Sequence, residues 1–484
     1  MKQVIVTPQE AARMEQQYRV VKRSVDARQK NLRVLLTLLE ETDMPLTTDT
    51  PQRLETLAHC PASAPTVDIV GAGPAGLFAA LTLLQHNIRP IIYERGKKVS
   101  ERKKDIALLN RNEGLNPNSN YCFGEGGAGT FSDGKLFSRS KKRGSMQQVM
   151  DTFRFFGADS RILYETHAHI GSDKLPDIIA AMRNYIVEHG GEFRFGTIWH
   201  PTAAALQTPT ILAIGHSAHD TYRELVAAGV AMEAKGYAMG VRIEHPQTLI
   251  NDIFYHHPAP EIVSLVGPAA YSLVTQVDGQ GVYSFCMCPG GHIVPAGSEP
   301  EQGVVNGMSA SHRNSPYGNS GMVVSLPVSG DALTALDYQE RLEHEAWLQA
   351  GNTARTQFRP AQRLTDFIEG KPSQDLPACS YLPGICASRL DQWLPLEIGP
   401  RLQKGLAFFG TRHKGFVTRE AVLVGVESRT SSPIRVLRDT VTMTSPSHHN
   451  LYPCGEGAGY AGGITSSALD GIVAATALIN NRQS

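Results

Sequence analysis

The sequence predicts an α/β protein. A parallel-sheet domain is built from two separated stretches of chain, a mixed β-sheet domain is inserted between them, and a small segment stands in front. Three observations predict this. A strand–glycine–helix–strand unit occupies residues 67–94. A second strand–glycine–helix passage occupies the C-terminal stretch. From about Lys235 to Leu326, short apolar runs are broken by Gly, Pro, Asn and Asp, the pattern of antiparallel strands joined by turns. The expected divisions are 1–64, 65–230, 231–424 and 425–484.

Composition narrows the classes. A chain of 484 residues suggests about three domains, or two with a large insertion. Lys+Arg and Asp+Glu are 46 each, so the basic excess of a nucleic-acid binder is missing. The short basic runs Arg95 to Lys98, Arg102 to Lys104 and Lys141 to Arg143 are read as solvated faces. Hydrophobic residues at 41% and charged ones at 19% describe a globular chain. No apolar run approaches the roughly 18 residues of a membrane span. The first residues hold no apolar signal core. Seven scattered cysteines fit a reducing compartment better than a disulfide framework, so the expected location is the cytoplasm.

Along the chain, Ala11 to Lys30 reads as helix, and Leu32 to Leu39 as either a strand or a short buried helix. Pro45 to Pro65 reads as a Pro/Thr-rich linker. Ser172 to Glu188 carries a helical pattern through Leu175, Ile178, Ile179, Met182 and Ile186. Phe193 to Trp199 and Thr210 to Ile214 read as strands. Residues 331–410 mix helix signals with Pro-rich loops.

The glycine clusters carry the functional argument. Val67 to Val70 is a short apolar strand, followed by GAGPAG with glycines at 71, 73 and 76. Leu77 to Leu84 reads as a buried helix, and Ile91 to Tyr93 as a second strand ending at Glu94, eighteen residues after Gly76. Gly71 suits a tight strand-to-helix turn. Gly73 lets a pyrophosphate approach the backbone, and Gly76 lets the helix pack on the strand. The helix N-terminus offers free N–H groups and a positive dipole end to phosphates. A carboxylate at Glu94 can accept from a ribose diol. Gly124, Gly126 and Gly129 match the same spacing, as do Gly457, Gly459 and Gly462, but neither set has both the preceding strand and the downstream acid. The structural alternative is a glycine-rich turn in another α/β protein. The unit alone does not separate FAD from NAD.

Two further segments bear on that choice. Asn120 to Leu136 (NYCFGEGGAGTFSDGKL) allows a backbone that wraps a ligand closely. In Leu451 to Ile472 (LYPCGEGAGYAGGITSSALDGI), Gly462-Gly463-Ile464 opens the last helix. Its N-terminus suits a ligand carrying negative charge, as a reduced flavin does on its pyrimidine edge. The alternative for both is a pair of surface loops.

These motifs, with HIGSDKL (His169 to Leu175), ILAIGHSAHD (Ile211 to Asp220), GVRIEHPQ, CMCPGG and VESRTSSPIR, resemble the uncharacterised bacterial FAD-dependent dehydrogenase family within the glutathione-reductase-like superfamily. The resemblance covers most of residues 65–484. It implies an FAD-binding Rossmann-like domain of glutathione-reductase type. VKRSVDARQK (Val21 to Lys30) resembles that family's N-terminal segment, which implies a short ferredoxin-like domain. The implied FAD contacts begin with Gly71, Gly73, Pro74, Ala75 and Gly76. Glu94 would hold the adenosine ribose, with Arg95 beside it. Gly126 and the backbone of Gly127, Ala128, Gly129, Thr130 and Phe131 would lie along pyrophosphate and flavin. Trp199, at the end of its strand, would pair its backbone with adenine, and Gly215 would close the strand passing the cofactor. Gly455 and Glu456 would serve the ribityl chain, and Gly462, Gly463 and Ile464 the pyrimidine edge. Three departures stand out. Only fifteen residues separate Phe195 from Ile211, where the superfamily has a longer β-meander; the N-terminal domain is short; and His219 stands where the family usually has Arg.

Flavin carries the two-electron chemistry, so the protein supplies orientation, a proton relay and water exclusion. Arg429 is a candidate clamp for a carboxylate or phosphate, with Arg435 nearby; the alternative is an internal salt bridge of Arg429 to Glu427. His216 is the candidate proton donor, ahead of His292 and His312. Lys135 and Asp133 touch the flavin or pair with each other. Cys286 and Cys288 on a regular strand would lie two residues' rise apart, which favours packing over a disulfide, with redox activity the lesser alternative. Cys122 and Cys454 read as small buried hydrophobes, and no ligand spacing suggests a metal. There is no second full dinucleotide fingerprint, so NAD(P)H, if it is the electron donor, binds transiently. The expected activity is an FAD-dependent oxidoreductase acting on a small molecule by hydride transfer at flavin N5. A monooxygenase or halogenase is the alternative, from the resemblance of the expected Tyr283 to Pro295 hairpin to hydroxylase substrate strands. A non-catalytic binding module on the same fold is the third reading. The redox partner is unspecified.

Overall fold

A computed structural model describes residues 1–39, 53–136, 144–328, 330–353 and 356–483. The Lys141 to Arg143 run and residues 45–52 of the Pro45 to Pro65 linker lie outside the described residues.

The protein is mixed α/β, with a parallel sheet and a separate mixed sheet. In front of both stands a three-stranded antiparallel sheet, in the order Lys2–Val6, Arg33–Leu38, Val20–Asp26. Here the helix expected over Ala11 to Lys30 is corrected. It spans only Pro8–Gln17, begun by a capping box in which Thr7 and Glu10 bond each other's backbone. Val20–Asp26 is a strand because Val20, Val21 and Val25 suit a pleated surface and the Arg33–Leu38 edge is there to pair with. Leu32 to Leu39 takes the strand alternative, burying Val34 and Leu36 against Ala11.

The parallel sheet runs Leu451–Pro453, Thr210–Leu212, Thr66–Val70, Arg89–Glu94, Glu192–Phe195. The last strand in sequence thus joins the first half of the chain beside Thr210–Leu212. Helices Pro74–Gln85 and Ile464–Gln483 pack on this sheet. The first is apolar all round, as a fully buried helix must be. The strand expected to reach Trp199 stops at Phe195, since Gly196 turns left-handed (φ +65) and Trp199 sits in the following loop.

The mixed sheet has seven strands, ordered Val274–Val277, Gln280–Cys288, Tyr317–Leu326, Tyr237–Pro246, Val422–Glu427, Arg359–Arg363, Ile385–Ala387. Its pairs are antiparallel apart from the last. Val422–Glu427 is one strand of this sheet, so it runs across the division expected at 425. The Tyr283 to Pro295 hairpin is also corrected. Gln280–Cys288 pairs with Tyr317–Leu326, whereas Gly291–Pro295 turns away to pair with Val305–Ser309. Gly290 (φ +53) makes the turn, its backbone pressed on Arg313. Among the described residues no helix is long and apolar enough to cross a membrane.

Candidate functional site

Three glycine-bearing segments meet at the carboxyl ends of the parallel strands. In the first, Gly71 turns left-handed (φ +105), and a Cβ there would stand 2.3 Å from the Ala213 carbonyl oxygen. A Cβ on Gly76 would stand 2.0 Å from the Gly71 oxygen. Both must be glycine for the protein's own packing. Gly73 differs: its backbone (φ −76) suits any residue, and the nearest atom to an added Cβ is Gly127 Cα at 3.9 Å. The helix begins at Pro74 with Gly73 as its cap, and no side chain caps it. The N–H groups of its first turn, Ala75 and Gly76 among them, are left to a ligand or water.

The second segment is shaped from beneath by Arg102. This side chain is fully buried and donates to the carbonyls of Asn120, Tyr121, Glu125 and Gly127 at 2.8–3.0 Å. Its guanidinium also lies 5.0 Å from the Phe131 ring centroid. The reading of Arg102 as a solvated charge is thereby corrected. The signal was in the helix register: Val99, Arg102, Ile106 and Leu109 form one buried face of Val99–Asn110. Gly126 (φ +81) and Gly127 (φ +65) bring this segment over Gly73, Thr130 ties back to the Glu125 carbonyl, and Ala128 lies in the turn Gly127–Gly129. Glu94 is buried, and its carboxylate accepts from the backbone N–H of Ala72, Gly96 and Gly124 at 2.8–3.0 Å. It therefore knots the first and second segments together. Arg95 turns away to Asp220 and Asn118 and lies over Phe123. Trp199 is buried, with its Nε1–H lacking a partner.

In the third segment, Gly455 donates to Asp470, and Asp470 is held by Arg438 at 2.7 Å. Gly457 presses on Gly215, whose own Cβ position is open. Gly462 and Gly463 also face open space, at the start of the Ile464–Gln483 helix. Ile464 meets Gly129, and Thr465 donates to the Leu136 carbonyl, so the helix start abuts the second segment. Glu456 pairs with His216 across 3.2 Å.

The structure corrects the clamp reading of Arg429. All five of its donors are consumed inside the protein: Nε and Nη2 by Glu343, Nη2 also by Gln302, and Nη1 by Ser298 and the Cys122 thiol. The salt-bridge alternative holds, with a different partner, because Glu427 is taken by Arg242 at 2.7 Å. Burial alone would raise the Glu343 carboxyl, but Arg429 beside it holds it below the usual carboxylate value. Arg435 pairs with Glu233 at the surface, and His219 with Glu340. His292 and His312 are exposed side chains.

Lys135 and Asp133 do pair, at 3.5 Å, and Arg313 reaches Asp133 at 2.7 Å. Lys135 also reaches the other sheet, with Nζ 3.7 Å from Cys286 Sγ and 3.6 Å from Cys288 Sγ. This meeting was invisible in the sequence, where the partners are about 150 residues apart. A cavity of about 660 Å³ opens elsewhere, among Gln247, Tyr317, Arg363 and Arg419, and none of the predicted site residues lines it. No cluster of metal-ligating groups occurs among the described residues.

Comparison with known proteins identifies part of this architecture. Residues 236–430 match the model of the FAD-dependent protein, C-terminal domain-like, family. An uncharacterised protein of Clostridium beijerinckii is 39% identical over 439 residues, covering 85% of this chain and 80% of that protein. Among solved structures, glycine oxidase from Geobacillus kaustophilus aligns at 12% identity and a TM-score of 0.31, over 86% of this chain and 94% of that one. CtdE in complex with FAD aligns at 10% identity and a TM-score of 0.30, over 86% and 84%. Likeness that faint carries no weight for function. The match to the clostridial protein shows the family: the chain belongs to it, and its residues 236–430 are similar to the FAD-dependent C-terminal domain.

Proposed function

We propose that the protein binds FAD between its three glycine segments and is an oxidoreductase acting on a small molecule, with a glutathione-reductase-type division of the chain near 1–64, 65–230 and 231–427, and a return to the first domain after Glu427. The observation that carries this is the contrast among the glycines. Gly71 and Gly76 are filled by backbone, whereas Gly73, Gly215, Gly462 and Gly463 border space that a side chain would enter. That is the shape of a cradle rather than of a packed turn. The unpartnered Trp199 Nε1–H and the uncapped helix at Pro74 leave polar groups for a ligand.

Bound FAD would supply hydride transfer at N5. The chain's own part is positional and electrostatic. Ala75 and Gly76 would hold the pyrophosphate at the helix N-terminus. The Ile464 helix would set its positive end against the flavin's pyrimidine edge. Trp199 and Gly127 to Phe131 would line the cofactor. His216, bonded to Glu456, can hold and pass a proton at Nδ1. Glu94 supports the cradle by fixing both glycine segments. The electron donor would be diffusible, NAD(P)H or another. With the Tyr283 to Pro295 hairpin absent, no observation favours the monooxygenase or halogenase reading. The test is direct: purified protein should carry flavin absorbance, or take up FAD, and an anaerobic metabolite screen should find a compound that bleaches it. Protein that neither carries nor takes up FAD overturns the reading.

A further inference from the structure

Cys286 and Cys288 do not sit on a regular strand. The pairing of Gln280–Cys288 with Tyr317–Leu326 slips between Phe285 and Cys288, and Cys286 is left-handed (φ +47). A bulge of this kind re-aims side chains and costs backbone energy in a residue with a Cβ. Here it turns the Cys286 side chain to the surface, while Cys288 stays buried. It also removes the alternation that would hold the two thiols a fixed two-residue rise apart. Both sulfurs instead contact one ammonium, Lys135 Nζ, at 3.7 and 3.6 Å.

The surroundings are built rather than incidental. Arg242, fully buried and paired with Glu427, donates to the Cys286 carbonyl at 2.8 Å and lies 3.6 Å from Cys288 Sγ. Lys135 is braced by Asp133, which Arg313 holds in turn. These are the charged groups that face the pair: Lys135 and Asp133 from the glycine segment, Arg242 and Glu427 from neighbouring strands, Arg313 from the turn before Tyr317.

We propose that Cys286 and Cys288 form a dithiol site that reduces low-molecular-weight disulfides, with Cys286 attacking and Cys288 resolving. The Cys286 thiolate attacks one sulfur of R–S–S–R. That S–S bond breaks, RS⁻ leaves and takes a proton from water, and a Cys286 mixed disulfide remains. Cys288 then gives up its proton to water and attacks Cys286 Sγ, expelling the second RS⁻. The second RS⁻ also takes a proton from water. Counting the proton Cys286 had already shed, the dithiol loses two electrons and two protons, and the substrate becomes two thiols; an external thiol reverses the exchange. The division of labour follows the environment. The hydrogen bond from Cys288, then the charges of Lys135 and Arg242, hold the Cys286 thiol down to about 6. The bond to Cys286, with burial, pushes Cys288 well above the ordinary thiol range. An accessible thiolate beside a protonated partner is the arrangement that exchange requires.

The experiment uses the purified full chain and oxidised glutathione, reading free thiols and mass rather than flavin, so it succeeds or fails apart from the flavin reading. Wild type should lose two thiols and gain a 286–288 disulfide in peptide mapping. Cys288→Ser should instead trap glutathione on Cys286, and Cys286→Ser should react at neither position. Alkylation of Cys286 by iodoacetamide in wild type should rise with a midpoint near 6, and Lys135→Met should move it upward and slow exchange at neutral pH roughly tenfold. No loss of thiols in wild type, no adduct in Cys288→Ser, or a wild-type midpoint in the ordinary thiol range overturns the proposal. The wild-type profile keeps it testable even where a variant misfolds.

Discussion

Gly471 lies flat against Ala75: a Cβ on Gly471 would stand 2.1 Å from the Ala75 carbonyl oxygen. This contact locks the helix Ile464–Gln483 onto the helix Pro74–Gln85, although nearly four hundred residues separate them in sequence. It is what brings the Gly462-Gly463 segment beside the GAGPAG turn. Gly471→Ala should therefore destabilise the protein by about 1–3 kcal/mol through overpacking, seen as an earlier midpoint in chemical denaturation. An unchanged midpoint would mean the two helices are not pressed together.

Gly73 and Gly76 make a paired test of the cradle. Gly76→Ala puts a methyl 2.0 Å from the Gly71 oxygen and should lower stability with or without ligand. Gly73→Ala enters open space in an ordinary conformation and should leave the melting temperature of the ligand-free protein in place. Its effect should fall on FAD affinity, by tenfold or more, about 1.4 kcal/mol. Titration of the apoprotein with FAD by flavin fluorescence reads the difference.

Arg429 and Glu343 form a buried pair at 2.8 Å. Arg429→Met leaves the Glu343 carboxylate buried without its cation and should cost about 3–5 kcal/mol. Adding Glu343→Gln should recover a large part of that loss. A double-mutant cycle on unfolding free energies checks it; additive losses would contradict the pairing.

His245 lies buried against Phe416, and burial holds its imidazole down to about 4, from an ordinary 6.5. The unfolded chain then binds a proton at higher pH than the folded one. Stability is kept above about pH 6.5 and falls as pH drops from there toward 4, by on the order of 3 kcal/mol from this group. His245→Gln should flatten that part of the unfolding free energy against pH. A parallel profile in wild type and variant would show that His245 titrates normally.

Much of the cradle could be read in the sequence because each glycine there answers a local backbone demand. The left-handed turn at Gly71 and the helix contact at Gly76 recur wherever a strand passes tightly into a helix, so spacing alone marks them. The register of Val99, Arg102, Ile106 and Leu109 was equally legible, yet Arg102 was hidden by its type. A charged side chain is expected outside unless carbonyls converge on it, and that convergence is tertiary. The N-terminal strand was missed for a similar reason: helix propensity in Ala11 to Lys30 yielded, past Tyr18, to a neighbouring edge.

By itself, then, the sequence determined the strand–glycine–helix units, the lack of a membrane-spanning run and a resemblance to an FAD-dependent family, since local geometry and motif order encode all three. Only the tertiary structure decided which charges meet. It turned Arg429 to Glu343 rather than to a ligand, set Glu94 on three backbone N–H groups, and carried Lys135 onto the bulged cysteines. The physical reason is that buried ions and thiols take their partners from whatever surface folding brings within about 4 Å, and nothing in the linear spacing of side chains records that distance.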